Sequence, residues 1–145
     1  MPWSIYQIEC LETGQIYIGQ TKYRMPFSRL ADHVSTLRNQ KSPHPKLQQV
    51  WNEYPTLVFW QFRVLDDEIE SQRTADRREA YFTLQVPEDK RLNEVSRVRS
   101  TVEKYLEVEQ LCAQGLLYRE VSQRTGVSLG QISKIRKKVR DGLFE

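Results

Sequence analysis

Residues 3–20, WSIYQIECLETGQIYIGQ, decide how the chain begins to fold. Residues 3–10 and 15–20 are two runs rich in β-branched and aromatic side chains, and Thr13-Gly14 between them supplies turn chemistry. Together they read as a β-hairpin. With a two-residue loop at Glu12-Thr13, Tyr17 stands opposite Ile8. Tyr6 is two residues from Ile8 and so shares its side of the sheet. Tyr6 and Tyr17 then become diagonal neighbours on one face, whereas an odd loop without a bulge would separate them. Two tyrosines so placed either pack a core or present two phenols to one spot.

Outward from the hairpin, Pro26 suits the first turn of a helix over 26–38, with Phe27, Leu30, Ala31, Val34 and Leu37 as its apolar face. Pro43 and Pro45 break the chain before a short helix over 45–53. Residues 56–65, TLVFWQFRVL, read as a buried strand. A third helix is expected over 69–84, and residues 85–99 read as an extended crossing or linker. Hydrophobic residues at 39% and charged residues at 28% are the balance of a globular chain, not a disordered one. No apolar run approaches the roughly 20 residues of a membrane helix. The N-terminus lacks a basic segment followed by an apolar one, so no signal peptide and a cytoplasmic location are expected. Cys10 and Cys112 read as small buried hydrophobes, and with only two histidines a structural zinc site is not expected.

Three polar residues stand out on the helices. Arg29 and His33 are four apart and share a helix face, at the flank of the apolar stripe. They form either an exposed polar edge or a pair suited to a phosphodiester, since arginine forks onto phosphate oxygens and histidine donates or moves a proton. Glu79 shares its face with Ala75 and Phe82. A carboxylate in an apolar stripe needs a partner. Arg29 or Arg63 is one choice, and a divalent cation is the other, because one or two carboxylates plus substrate phosphate commonly hold Mg²⁺.

The C-terminal third differs in charge. Residues 1–96 hold 12 Lys and Arg against 13 Asp and Glu, and residues 97–145 hold 10 against 6. The basic part is suited to a polyanion. Ser100 and Glu103 fit a capping box, and the helix they open stops at Gly115. A short helix follows over 118–124, then a Gly126-Val127 turn and a last helix from the N-cap Ser128 to near Gly142. Three short helices with a glycine in the last turn match a helix-turn-helix. Leu111, Leu116, Val121, Val127, Ile132 and Ile135 take its core positions, with Leu129 and Val139 also facing inward. Gln131 and Lys134 are placed for base edges, beside Ser128, and Arg136, Lys137, Lys138 and Arg140 for phosphate. The plainer alternative is an amphipathic tail packed on the first unit or on a second subunit.

Taken in order, these residues resemble the GIY-YIG nuclease family. Ser4-Ile5-Tyr6 stands where the family has Gly-Ile-Tyr, Tyr17-Ile18-Gly19 matches the second triplet, and Gln20-Thr21 follows in the family manner. Arg29 with His33, Glu79 in Arg78-Glu79-Ala80-Tyr81, and Asn93 after Leu92 match the arginine, histidine, glutamate and asparagine that follow. The resemblance spans roughly residues 3–95. Ser4 in place of glycine and a slightly long loop before Arg29 are the departures.

The resemblance implies an α+β fold, a small three-stranded antiparallel sheet flanked by helices, as a nuclease domain over 1–96. A small all-α helix-turn-helix domain follows over 100–145. It also implies a catalytic set of Tyr6, Tyr17, Arg29, His33, Glu79 and Asn93, with Glu79 as the ligand of Mg²⁺ or Mn²⁺. The reaction would be hydrolysis of a phosphodiester in double-stranded DNA. Either tyrosine would relay the proton of the attacking water, with Lys22, Arg29 and His33 available to lower the phenol pKa. The leading expectation is a site-directed endonuclease of the homing or phage type. The alternatives are a structure-selective repair or recombination nuclease and a non-catalytic DNA-binding protein on a nuclease scaffold. Monomer and homodimer stay equally open, and no membrane partner is expected.

Overall fold

The computed structural model describes residues 2–94 and 96–140, the side chain of Arg97 excepted. Strand β1 (Trp3–Cys10) leads to β2 (Ile16–Thr21), then helices α1 (Phe27–Arg38) and α2 (Pro45–Glu53). A short 3-10 turn (Leu57–Phe59) precedes β3 (Trp60–Ile69), and helix α3 (Gln72–Gln85) follows. A second 3-10 turn (Glu88–Lys90) leads to α4 (Arg97–Ala113), α5 (Tyr118–Thr125) and α6 (Leu129–Arg140). Among the described residues the sheet is antiparallel, in the order β2-β1-β3.

The hairpin has the expected register, with Ile8 opposite Tyr17 and Tyr6 opposite Gly19. Its loop is longer than expected, running from Leu11 to Gly14, with the Cys10 N–H donating to the Gln15 carbonyl at 2.9 Å. The extra length is even, so the period-2 alternation of side chains survives. Gly14 carries the left-handed backbone the turn requires, at φ +75°. One sheet face then holds Tyr6, Ile8, Cys10 and Tyr17, packed with Val34, Leu37, Leu47, Val50 and Trp51 from α1 and α2. The other holds Ile5 and Ile18, packed with Ile69, Ala75 and Val86 toward α3.

Several boundaries differ from the sequence reading. Strand β3 runs on to Ile69, through Asp66-Asp67-Glu68, because Ile69 still pairs with Trp3 of β1. Pairing, not the polarity of those residues, sets the end of the strand. Helix α3 therefore starts later, at the cap Ser71, whose side chain accepts from the Thr74 N–H at 3.1 Å. Helix α4 is capped by Ser96, which accepts from the Arg99 N–H at 3.0 Å. Ser100 is no cap: inside the first turn its hydroxyl donates back to the Ser96 carbonyl at 3.1 Å. The extended backbone a cap needs is at Ser96, three residues after Asn93 is anchored to the sheet.

Helices α4, α5 and α6 share a cluster of Val108, Val121, Val127, Ile132 and Ile135, with Leu111, Leu116 and Val139 against it. Gly126, at φ +75°, turns the chain between α5 and α6. Leu129 does not face inward as expected; it is 54% exposed. A periodic stripe marks the inward side of a helix, not how far along it the neighbours extend. The expected end of the last helix near Gly142 lies outside the described residues.

Gly19 is the tightest point of the hairpin. A Cβ there would fall within the van der Waals envelope of the Tyr6 hydroxyl and Cζ, and 2.9 Å from Cε2. Gly19→Ala is expected to displace the Tyr6 ring and lower stability by about 1–3 kcal/mol. Denaturant unfolding beside the wild type measures it, and an unchanged midpoint would contradict the contact.

Candidate active site

Alternation along β1 and β2 puts Tyr6 and Tyr17 on one face, with ring centroids 6.4 Å apart. Helix α1 lays His33 over both. The Tyr6 hydroxyl is hydrogen-bonded to His33 Nε2 at 2.7 Å, and the Tyr17 and His33 rings meet edge-on at 5.4 Å. His33 does not sit at the flank of α1, as its helical position suggested. It is 2% exposed, whereas Phe27 is 61% exposed, so the helix is rolled toward its histidine. A neutral imidazole with a phenol on one nitrogen and aromatic rings around it is an acceptable core residue, which the apolar stripe alone does not reveal.

A second histidine completes this cluster and was not among the expected site residues. His44, just before α2, is hydrogen-bonded through Nε2 to the Tyr17 hydroxyl at 3.1 Å, and its ring lies 5.7 Å from that of His33. Its sequence signal was slight: one of only two histidines, between two prolines at a helix start.

Burial sets the protonation states. Burial pushes the Tyr6 phenol up to about 12, with the Arg29 charge pulling it back. It pushes Tyr17 higher, reinforced by Tyr6 and Glu79. The expected lowering of the phenols therefore does not occur, and Lys22 is turned to the Trp3 ring, 4.8 Å from its centroid. His33 is driven down to about 4 by burial, then by the charges of Arg29 and His44. Burial, with Arg29 second, lowers His44 as well. Near neutral pH the cluster holds two protonated phenols and two neutral imidazoles. Arg29 is partly exposed beside it, its guanidinium 3.8 Å from Asp32. It is also hydrogen-bonded to Tyr6, and its remaining donors are available to an anion.

Glu79 approaches from the other side. Gln20 lies on the sheet face toward α3, and its amide donates to Glu79 Oε2 at 2.6 Å and to Asp76 Oδ1 at 2.7 Å. Among the described residues Glu79 makes no ion pair, with Arg29 and Arg63 included. Burial raises its carboxyl to about 7, the Gln20 bond opposes this and the Asp76 charge adds to it. Its charge reaches across β2 to both phenols. A cavity of about 270 Å³ opens at this carboxylate, lined also by Asp76, Glu94 and Arg99. The tyrosines do not line it. Asn93 is neither in the aromatic cluster nor bonded to Glu79. It clamps the edge strand: its Oδ1 accepts from the Ile18 N–H at 2.9 Å and its Nδ2 donates to the Ile18 carbonyl at 2.6 Å.

Residues 2–93 match the model of the GIY-YIG catalytic domain. The chain belongs to the GIY-YIG family. The same fold is found in the catalytic domain of a mutant form of the intron endonuclease I-TevI, at 20% identity and a TM-score of 0.53, over 59% of this chain and 84% of that one. Comparison with curated proteins returned no match. The GIY-YIG match supports a nuclease-type activity and ends at Asn93, so helices α4–α6 lie outside it.

Among the described residues no three His, Cys, Asp or Glu side chains come together to hold a metal. The GIY-YIG site here offers instead Glu79, with Asp76 and Gln20 beside it. Among the described residues, Gln20 Oε1 is buried without a hydrogen-bond partner. This donor set of oxygens suits a hard cation that takes the rest of its shell from water and phosphate.

Ser128, just before α6, and Gln131, Lys134, Lys137 and Lys138 along it are exposed. Arg136 is already engaged, 2.6 Å from Glu109 of α4.

Because Glu79 binds its proton more tightly when folded than its ordinary value of 4.5, stability is expected to fall as pH rises from about 4.5 through about 7. In metal-free buffer Glu79→Gln removes that loss. It should match the wild type near pH 4 and exceed it at pH 8, by on the order of 2–3 kcal/mol. Equal unfolding midpoints at pH 8 would refute the raised carboxyl.

Proposed function

We propose that this chain is a metal-dependent DNA endonuclease that hydrolyses phosphodiester bonds, made of a nuclease domain over residues 1–96 and a helix-turn-helix over 100–145. The observation that carries the reading is the Tyr6–His33 hydrogen bond of 2.7 Å beside Arg29, within electrostatic reach of a glutamate that makes no ion pair among the described residues. A protonated phenol near 12 is a poor base alone. Next to a neutral imidazole it becomes a relay. With the His33 proton on Nδ1, Nε2 accepts the phenol proton as the phenol oxygen takes one from the attacking water, once an anionic phosphate on Arg29 offsets the charge that, after burial, keeps His33 neutral. Arg29 binds a non-bridging phosphate oxygen with its free donors. His44 holds Tyr17 in place, and Asn93 is a positioning residue that fixes the β2 edge between Tyr17 and Gly19. Glu79 would hold Mg²⁺ or Mn²⁺. When bound, such an ion supplies positive charge against the phosphate as charge builds in the transition state.

The α4–α6 unit supports a role in gripping double-stranded DNA. A tight turn at Gly126-Val127-Ser128 joins α5 to α6, and the Ser128 hydroxyl accepts from the Gln131 N–H at 3.3 Å. The exposed side of α6 offers Gln131 and Lys134 to base edges and Lys137 and Lys138 to phosphate. Arg136 contributes less than its charge suggests while Glu109 holds it. Among the described residues no helix is long and apolar enough to cross a membrane. A tethered reader raises the local concentration of the nuclease domain at chosen sites, which favours the homing or phage type.

Supercoiled plasmid with Mg²⁺ tests the catalytic half. The wild type should nick it, and Glu79→Ala should slow nicking by at least on the order of 100-fold. No nicking by the wild type would leave a DNA-binding protein, and random or junction-only cuts a structure-selective nuclease. For the reader, Lys134→Ala should weaken binding to a selected site by about 1–3 kcal/mol. An equal loss on random DNA would remove Lys134 from base reading.

A further inference from the structure

We propose that Asp76 is a second carboxylate for the cation at Glu79, and that the Gln20 side-chain amide holds the place of that cation until it binds. The inference rests on the metal-dependent reading above and extends it to residues outside the expected set. Asp76 and Glu79 are three apart on α3 and therefore lie on one helix face. Both reach the same nitrogen: Gln20 Nε2 is 2.7 Å from Asp76 Oδ1 and 2.6 Å from Glu79 Oε2. One small electropositive group thus already bridges two carboxylate oxygens. Mg²⁺ at the same vertex needs oxygens at about 2.0–2.1 Å, so each carboxylate oxygen closes in by roughly half an ångström or slightly more.

The bridging amide leaves a mark of incompleteness. With Nε2 given to the carboxylates, Gln20 Oε1 is buried with no partner among the described residues, a costly state for a carbonyl. Turning the amide over would set Oε1 beside both carboxylates, which is unfavourable while the vertex is empty of positive charge. When a cation takes the vertex the amide has to back away from it, and once turned over it supplies a third oxygen, so that the orphaned acceptor becomes a ligand. The cavity at Glu79 gives room for the remaining water and phosphate oxygens. Two carboxylates facing one vertex repel until a cation joins them.

Binding of Mn²⁺ to the full chain without DNA tests this, read as loss of the free-ion signal in electron paramagnetic resonance. Wild type, Glu79→Gln, Asp76→Asn and the exposed charge control Glu70→Gln are titrated side by side, with thermal unfolding to verify that each is folded. Glu79→Gln should abolish the tight site, Asp76→Asn should raise its Kd at least about tenfold, and Glu70→Gln should leave it unchanged. Wild-type affinity in Asp76→Asn, with the site lost in Glu79→Gln, overturns the role of Asp76 and spares the metal at Glu79. A loss in Glu70→Gln equal to that in Asp76→Asn reduces the effect to general charge and overturns it too. No tight site in the wild type, or an unchanged one in Glu79→Gln, overturns both the metal-dependent reading and this inference.

Discussion

The contact of the Tyr6 ring with the bare backbone of Gly19 constrains the rest of the structure. Tyr6 and Gly19 face each other across β1 and β2, and the ring occupies the space any side chain at Gly19 would take. Folded over the edge strand in this way, the phenol meets His33. Helix α1 must then roll so that its histidine, not Phe27, is buried. His33 in turn brings Tyr17 and His44 into one cluster of rings. Stacking of Tyr6 on Phe62 of β3, at 5.3 Å, closes the cluster from the other side of β1.

Burial gives this cluster its chemistry. Water is kept from the two phenols and His33, and His44 is half-buried beside them, so all four are held neutral near pH 7, and a proton moving from Tyr6 to His33 crosses a single short bond. Across β2 the same physics works against Glu79, which is partly buried with an amide and a second carboxylate and, among the described residues, has no ion pair. The neutral and the acidic halves lie on opposite faces of the sheet. The edge strand β2 runs between them with Glu79 still in electrostatic reach of both phenols, and the two hydrogen bonds from Asn93 to Ile18 keep that strand in place. Stability is thus spent on a carboxylate poised for a cation, and the two apolar clusters on either side of the sheet offset it.

The C-terminal helices are joined to this framework through α4, which packs along α3 and lines the cavity at Glu79 with Arg99. Their shared apolar cluster leaves one side of α6 to its lysines, while Arg136 is drawn inward to Glu109. A basic surface and an acidic cavity therefore sit on opposite ends of one short run of helices.

By itself, the sequence determined the hairpin, its face and its register, because alternation and turn residues are local and an even change of loop length leaves them intact. It also marked Tyr6, Tyr17, Arg29, His33, Glu79 and Asn93 as an ordered set, and the apolar core of α4–α6. Only the tertiary structure decided what depends on distant neighbours. The extent of β3 follows from pairing with β1, the cap at Ser96 from where the chain leaves Asn93, and the burial of His33 from rings contributed by other elements. His44, Gln20 and Asp76 gained their places the same way. Their contacts span long stretches of chain, and a pattern of period 2 or 3.6 carries no information about which side chain lies across the gap.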